Sequence, residues 1–329
     1  MLECKLIKLN YLQYNKLKLD FDLNFYSLDS LVENEDFETL VKDFCCKFNY
    51  KKIKTFSFSK SGFLDILLEL KGKIAVSLGE TLALIEACRV YESLGNSIEY
   101  LPLNKDGSVD FSILKEKDFD YIFCSSYVID TFYIVDLKEL KKLSKAKIIS
   151  NASADFSLNS DIVYFDSYKL SGYYLSGVIL LNDDSLELSN IGFTDSLAIK
   201  VCFEALKSSN KVEMKHIFID KFKDKFKDNL YFFVDNKNTL ANSFHIALKD
   251  IKAREIIRTL AFLDIYLSNG EGCSLGLSKP SRVIQAMGYS EEISRNALSF
   301  SFNKDLSLDE IDFIVDTIYK KYIQIKSFL

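Results

Sequence analysis

The regular alternation of strands and helices is the feature of this chain that most constrains its fold. Short apolar runs at 54–58, 73–77, 97–101, 121–125, 147–152, 162–165 and 178–181 predict strands. Longer amphipathic runs at 63–70, 81–94 and 136–144 predict helices between them. This order is typical of an α/β protein with a mainly parallel sheet that is covered by helices on both faces.

Polar residues at the ends of these strands predict a binding crevice, because ligands on such sheets bind at the carboxyl ends of strands. Ser125, Asn151 and Lys169 lie at or near such ends, so we expect them to line one crevice. The Ser59-Lys60-Ser61-Gly62 turn leads from a strand into the helix at 63–70. Free backbone N–H groups at such a turn suit a phosphate group, although many such turns bind only water.

The stretch from 161 to 181 carries the most reactive candidate side chain. Its two predicted strands flank a polar segment with Ser167, Tyr168 and Lys169. Desolvation between buried strands would lower the pKa of Lys169 and make its amine nucleophilic. Such an amine can condense with an aldehyde cofactor. The alternative is a lysine whose stem lies along an apolar surface while its ammonium group reaches solvent.

A second informative stretch is 268–276, SNGEGCSLG, which holds three glycines and Cys273. A thiol on a mobile loop can reach a substrate. The other cysteines fall in predicted strands, in predicted helices or in the N-terminal part, so Cys273 is the best candidate nucleophile. The alternative is a helix C-cap that is followed by a loop with an incidental cysteine.

The second half of the chain predicts a smaller α+β domain. After a helix at 195–206, its predicted helices are 215–227, 254–267, 280–287 and 308–325, and its predicted strands are 231–234, 243–248 and 298–302. We expect a large domain at 16–210 and a small one at 211–329 that also includes 1–15, with the boundary near 208–211.

Composition excludes several classes of partner. The net charge is −5 and no basic tract dominates, which argues against nucleic acid. No apolar run approaches the roughly 18 residues of a membrane helix, and the first residues lack a signal-peptide core. The seven cysteines are never spaced as C-x-x-C, and there are only two histidines. This composition predicts a cytoplasmic protein without a metal site.

Together the two stretches resemble the cysteine desulfurases of the class V aminotransferase family, which are fold-type I enzymes that depend on pyridoxal phosphate (PLP). The Asp166-Ser167-Tyr168-Lys169 turn, with Gly172 and Gly177 behind it, resembles the family's Ser-x-His-Lys turn and Gly-rich hairpin. Residues 268–288 resemble the loop around the sulfur-accepting cysteine, and 80–95, 104–109 and 295–302 also match in order. The resemblance implies a seven-stranded, mainly parallel sheet and a smaller C-terminal domain.

The resemblance also implies roles for single residues. Lys169 would bind PLP covalently and move a proton, and Cys273 would take sulfur from cysteine as a persulfide while alanine is released. Ser167 and the turn with Ser59 and Ser61 would bind the phosphate. The remaining cofactor positions are Asn151, Thr81 and Tyr168. A homodimer is implied, with a sulfur acceptor or a paralogous desulfurase as a further partner.

The chain departs from the family at several of these positions. Asn151 replaces the aspartate at the pyridine nitrogen, with Asp155 as a candidate substitute, and Thr81 and Tyr168 replace histidines. Ser299 replaces the arginine that pairs with the substrate carboxylate, and losing such a charge-assisted pair costs on the order of 2–5 kcal/mol. Further differences fall at Ile129, Ala154 and Phe193, the last with Thr194 beside it.

Three functions are therefore open, and the sequence does not decide whether the chain is an enzyme. Lys169 and Cys273 favour a cysteine desulfurase-like PLP enzyme. Asn151, Thr81 and Ser299 favour a catalytically impaired homologue that acts as a binding or regulatory partner. Ser299 is also explained by a PLP enzyme with a changed substrate, an amine that lacks the α-carboxylate.

Overall fold

The computed structural model describes residues 7–9, 35–157, 159–186, 194–207, 214–271, 279–302 and 304–328. In chain order the helices and strands are β1 (Ile7–Lys8), α1 (Glu35–Phe48), β2 (Lys52–Phe56), α2 (Lys60–Glu69), β3 (Ile74–Ser77), α3 (Leu82–Ser93), β4 (Ile98–Leu101), β5 (Tyr121–Phe123), α4 (Leu137–Leu143), β6 (Lys147–Asn151), β7 (Ile162–Phe165), α5 (Ser167–Ser171), β8 (Gly177–Leu181), α6 (Ser196–Lys207), α7 (Lys215–Phe226), β9 (Leu230–Tyr231), β10 (Ser243–Leu248), α8 (Ala253–Ala261), β11 (Ile265–Tyr266), α9 (Arg282–Ala286), α10 (Glu291–Ser294), β12 (Ala297–Ser301) and α11 (Leu308–Lys326).

A seven-stranded sheet in the order β2-β8-β7-β6-β5-β3-β4 forms the centre of the molecule. The strands from β7 to β4 are parallel, and β8 runs antiparallel to both of its neighbours, β7 and β2. The carboxyl ends of β2, β3, β5, β6 and β7 therefore share one edge. The predicted fold class, a mainly parallel sheet within an α/β protein, is confirmed.

Both faces of strands β7 and β8 are buried, which explains why these strands are continuously apolar, whereas β2 (KIKTF) and β4 (IEYL) nearer the edges are only partly buried. In β8, Ile179 and Leu181 pack into a core shared with α2 and α3. The alternating residues Val178 and Leu180 pack into a second core shared with α1 and α6. Because neither face of such a strand is exposed to solvent, polar residues do not alternate with apolar ones along it.

The second half of the chain builds a three-stranded antiparallel sheet in the order β12-β10-β9. Helices α7, α8 and α11 bury a phenylalanine-rich core with it, in which the rings of Phe244 and Phe300 stack at 4.8 Å. Residues of β1 join this core, and β1 pairs with β11. The proposed boundary near 208–211 lies outside the described residues, so the division into 16–210 and 211–329 stays a prediction.

Three local predictions were wrong, each for a physical reason. The helix predicted at 254–267 ends at Ala261, because Asp264 takes a left-handed conformation and β11 follows. The strand predicted at 231–234 stops at Tyr231, since the N–H of Phe233 donates to the His245 ring instead of a neighbouring strand. The segment around Lys169 is a short helix, α5, and not an open turn.

No described helix has both the length and the apolar character needed to cross a bilayer. Within the same residues, no group of three or more His, Cys, Asp or Glu side chains is arranged to hold a metal ion.

Candidate functional site

A cavity of about 980 Å³ lies at the carboxyl edge of the large sheet. The loops that follow β2, β3, β5 and β7 form most of its wall, and the 268–271 segment and β12 close it from the second half of the chain. The polar described residues that line it are Ser57, Lys60, Thr81, Glu86, Asp130, Asp166, Tyr168, Lys169, Ser176, Ser268, Glu271, Ser299 and Ser301. Ser125, Asn151 and Lys169 were predicted to line one crevice, and of these three only Lys169 lines this cavity.

Lys169 lies on α5 and is partly buried in the cavity wall. Asp166 begins this helix by accepting a hydrogen bond from the N–H of Tyr168 at 2.9 Å. Burial lowers the pKa of Lys169, but Tyr127 and the carboxylates of Glu271 and Asp166 outweigh it and raise the pKa above its usual value. The prediction of a lowered pKa was therefore wrong, because carboxylates surround the amine.

The predicted phosphate turn lies at the N-terminus of α2. The Ser59 hydroxyl accepts from the N–H of Gly62 at 3.3 Å and lies 2.8 Å from the Ser57 hydroxyl and 3.0 Å from the Ser61 hydroxyl. A Cβ on Gly62 would lie 1.9 Å from the Ser57 carbonyl oxygen, so this turn requires glycine. Ser57 and Lys60 line the cavity, which adds a cation that the sequence analysis had not singled out.

Ser167 is buried and turned toward α6. Its hydroxyl donates to the Ser176 carbonyl and lies 3.2 Å from the sulfur of Cys202. Burial raises the pKa of Cys202 to about 12, so this thiol stays protonated at neutral pH. Ser59, Ser61, Ser167 and Asn151 are not among the described residues that line the cavity.

Asn151 ends β6 and is completely buried. Its Oδ1 accepts from the Ser153 N–H at 3.0 Å and from the Ser153 hydroxyl, which fixes the orientation of the amide. Its Nδ2 hydrogen-bonds to no described residue. A buried donor without a partner costs about 1–3 kcal/mol, so this amide suits an acceptor such as a pyridine nitrogen. The candidate substitute Asp155 is partly buried, and burial raises its pKa.

Thr81 is buried where α3 begins, and its partner comes from the far end of the chain. The Glu271 carboxylate accepts from the Thr81 hydroxyl and from the Leu82 N–H at 2.7 Å. The N–H of Glu271 donates to Asp130 Oδ1 at 2.6 Å. Glu271, two residues before Cys273, is thus fixed to the start of α3 beside Thr81, one of the predicted cofactor positions.

A partly buried arginine supports this corner of the cavity without lining it. The Arg282 guanidinium donates to the carbonyl of Leu78 at 2.6 Å and to that of Glu80. Asp130 accepts from the Ser281 hydroxyl at 2.7 Å, and burial, with Glu271 adding to it, raises the pKa of Asp130. No arginine is present among the described residues of the cavity wall, in keeping with Ser299 at the family's arginine position.

Ser125 binds a buried carboxyl group behind the cavity. Glu80 is fully buried, and its Oε2 accepts from the Ser125 hydroxyl at 2.7 Å and from the Tyr164 hydroxyl at 2.9 Å. Burial raises the pKa of Glu80. This network connects the loop before α3 with the segment after β5 and with β7.

The remaining predicted residues are divided between the rim and the undescribed part of the chain. The Tyr168 ring stacks on that of Tyr174 at 4.0 Å at the cavity rim, where Tyr174 is 82% exposed. Cys273 and Phe193 lie outside the described residues. Asp130, Glu271, Arg282 and Lys60 are site residues that sequence reasoning missed.

No protein-family model matches the chain, but known proteins are similar to it. It is similar to the cysteine desulfurase IscS of Rickettsia typhi, with 23% identity over 76% of this chain and 69% of the relative. The corresponding enzyme of Rickettsia peacockii is 22% identical over 78% and 71%.

Solved structures give the fold. A NifS-like protein from Rickettsia africae has a TM-score of 0.74 at 16% identity and covers 97% of this chain and 99% of its own. A structure described as SspA in complex with cysteine has a TM-score of 0.70 at 14% identity and covers 89% and 99%.

The seven-stranded sheet, with the cavity at its carboxyl edge, has the fold of these NifS-like structures. In sequence the chain is similar to the cysteine desulfurases, as a divergent relative at 22–23% identity. The predicted fold is thereby confirmed, and the predicted resemblance to cysteine desulfurases agrees with these relatives.

Proposed function

We propose that Lys169 binds PLP in the described cavity and that the chain acts there on an amino compound as a cysteine desulfurase-like enzyme. The observation that carries this proposal is the Lys169 amine inside a cavity of about 980 Å³ at the carboxyl edge of the sheet. When bound, PLP supplies a ring that withdraws electrons from the substrate carbon next to the nitrogen.

Two elements of this chain fit the polar ends of the cofactor. The N-terminus of α2, with Ser57 and Lys60 in the cavity wall, offers a positive dipole end and a cation for the phosphate, whereas the roles of Ser59 and Ser61 stay predictions from the resemblance. Asn151 does not line the described cavity, so its contact with the ring nitrogen also stays a prediction, in which its unpartnered Nδ2 would be the donor. Because an amide is neutral, the ring withdraws fewer electrons than it would beside an aspartate.

Neighbouring charges set the protonation of Lys169. The amine reacts only after it loses a proton, and Tyr127, Glu271 and Asp166 outweigh burial and raise its pKa, which favours the ammonium form. Asp166 lies at the start of the same helix, so its carboxylate would stabilise this ammonium group.

Sulfur transfer would use Cys273, two residues beyond the anchored Glu271. The relatives are named cysteine desulfurases, which supports cysteine as the sulfur source. The thiolate of Cys273 would attack the thiol sulfur of the substrate cysteine, so that an S–S bond forms as the substrate C–S bond breaks. The electron pair of that C–S bond would pass to the carbon, which takes up a proton and leaves as alanine. The homodimer, the sulfur acceptor and the cytoplasmic location stay predictions from the resemblance and the composition.

A changed substrate is the second candidate. The described cavity wall holds four carboxylates, those of Glu86, Asp130, Asp166 and Glu271, against the two amines Lys60 and Lys169. Ser299 stands where the family's carboxylate-binding arginine would be. An amine without an α-carboxylate would fit this charge balance better than cysteine does.

Purification in the presence of PLP, followed by incubation with L-cysteine, separates these functions. We expect a yellow absorbance band that Lys169→Ala abolishes, and alanine release that Cys273→Ser abolishes. The matched control is Cys46→Ser, which removes an exposed thiol outside the cavity and should retain alanine release. A band without alanine release would favour the changed substrate, and no band would favour a non-catalytic binding partner.

A further inference from the structure

Lys215 begins α7, and oxygen atoms of one loop surround its ammonium group. Its Nζ donates to the carbonyls of Asn236, Thr239 and Leu240 at 2.9, 3.0 and 2.8 Å, and to the Thr239 hydroxyl at 3.0 Å. An ammonium group has three N–H donors, so this loop offers a partner to each of them. Burial lowers the pKa of Lys215 to about 8, against an opposing contribution from Asp235, so the amine keeps its proton at pH 7.

The loop at 236–240, called the clamp loop below, is hydrogen-bonded on its other side to the cavity wall. The N–H of Leu240 donates to the carbonyl of Phe132 at 3.0 Å, and the N–H of Ile134 donates to the carbonyl of Asn238 at 2.8 Å. Phe132 lines the cavity. A continuous chain of hydrogen bonds therefore runs from the ammonium group on α7 to the backbone of the cavity wall.

The wall segment that receives these bonds has an unusual backbone. Asp130 and Phe132 have φ values of 70° and 62°, a left-handed conformation that is rare for residues other than glycine. Such a conformation persists only where the surrounding structure fixes it. The Asp130 carboxyl group is held by the N–H of Glu271 at 2.6 Å and by the hydroxyl of Ser281 at 2.7 Å. The clamp loop holds the Phe132 end of the same segment.

We propose that Lys215 is a positioning residue for the cavity, because its ammonium group fixes the clamp loop and the clamp loop fixes the backbone of Phe132. Lys215 is not among the described residues that line the cavity, so it acts through the loop. Without the ammonium group, three carbonyls and a hydroxyl lose a charged donor, and the loop loses its tie to α7. The effect on a ligand rests on the proposed function, whereas the effect on the wall does not.

Hydrogen–deuterium exchange of the full-length protein at pH 7, read by mass spectrometry, tests the positioning. Lys215→Met keeps a flexible side chain but has no donor. Lys221→Met is the matched control, because it removes a lysine from the same helix whose partner, Asp312, lies on α11. We expect the amides of 132–134 and 236–240 to exchange about tenfold faster in Lys215→Met than in wild type and in Lys221→Met, with those of β6 unchanged.

Two results of this experiment would overturn the proposal. Equal exchange of the two variants at 132–134 and 236–240 would show that the ammonium group does not hold the loop. Equally faster exchange throughout Lys215→Met, β6 included, would show that Lys215 stabilises the whole fold and not this wall.

Chemical rescue tests whether the positive charge is what matters. Lys215→Ala lacks the atoms from Cγ to Nζ, and n-propylammonium supplies the same atoms. We expect n-propylammonium to restore slow exchange at 132–134 and 236–240 in Lys215→Ala but not in Lys215→Met, whose side chain fills that space. Propan-1-ol, which has the same length but no charge, should not restore it. Equal rescue by propan-1-ol would overturn the role of the ammonium group.

PLP titration of the same variants separates this proposal from the proposed function. Where a PLP band forms, Lys215→Met should bind PLP at least about threefold more weakly than Lys221→Met, since Phe132 shapes the same cavity. Equal PLP affinities would overturn the effect on the cavity. Local loss of protection in a protein that shows no PLP band would uphold the positioning of the wall and refute only the proposed function.

Discussion

His245 makes the stability of this protein depend on pH in a calculable way. The ring is fully buried in β10, and its Nε2 accepts from the N–H of Phe233 at 3.0 Å. It must therefore be neutral, with its proton on Nδ1. Burial lowers its pKa from 6.5 to about 4, against an opposing contribution from the backbone of Thr131.

The direction of this pH dependence follows from the pKa of His245 in the unfolded chain and in the folded protein. Below pH 6.5 the unfolded chain binds a proton at this histidine before the folded protein does, so acid favours unfolding. The free energy of unfolding should fall by about 1.4 kcal/mol per pH unit between pH 6.5 and pH 4. The total loss from this residue is about 3 kcal/mol, and above pH 6.5 its contribution is constant.

Urea denaturation of wild type and His245→Gln, at pH values from 8 to 4, measures this contribution. Glutamine keeps an acceptor for the Phe233 N–H but does not titrate, so the difference between the two proteins should shrink by about 3 kcal/mol on acidification. His216→Gln is the control, because it removes the chain's other histidine, which is exposed on α7. A pH-independent difference between wild type and His245→Gln would refute the reasoning.

Two further substitutions test residues that hold the cavity wall in place. Gly62→Ala should destabilise the protein by about 1–3 kcal/mol in urea denaturation, because the added Cβ would clash with the Ser57 carbonyl. The control Leu68→Ala, at an exposed site of the same helix, should destabilise the protein less; equal losses of stability would contradict the predicted clash. Arg282→Met should cost about 2–5 kcal/mol in the same assay, since the carbonyls of Leu78 and Glu80 lose a charged donor. Arg282→Lys should recover only part of this loss, and full recovery would show that the guanidinium geometry is unimportant.

The fold could be predicted from sequence because its signals are local. Ser243–Leu248 was predicted to the residue, since all six of its side chains are buried and polar residues bound it. The helix at 254–267 was predicted too long, because the apolar pattern continues through Phe262 and Leu263. The structure leaves Phe262 90% exposed, and hydropathy cannot reveal which apolar residues stay outside the core.

The candidate site could be predicted only where its residues lie close in sequence. Lys169 was found because a lysine between two apolar strands is unusual, and the turn at Ser59–Gly62 was found from its position before a helix. Glu271 reaches Thr81 across 190 residues, and nothing in either segment indicates that contact. The pKa of Lys169 was misjudged for the same reason, because Glu271 approaches it only in the folded chain.

The central claim is that the amine of Lys169 is the group that binds the cofactor. The most direct measurement is reduction of the PLP-loaded protein with borohydride, followed by mass-spectrometric mapping of the modified peptide. The account predicts one pyridoxyl phosphate group per chain, on Lys169. Modification of Lys60, the other lysine of the described cavity wall, or of surface lysines alone would contradict it.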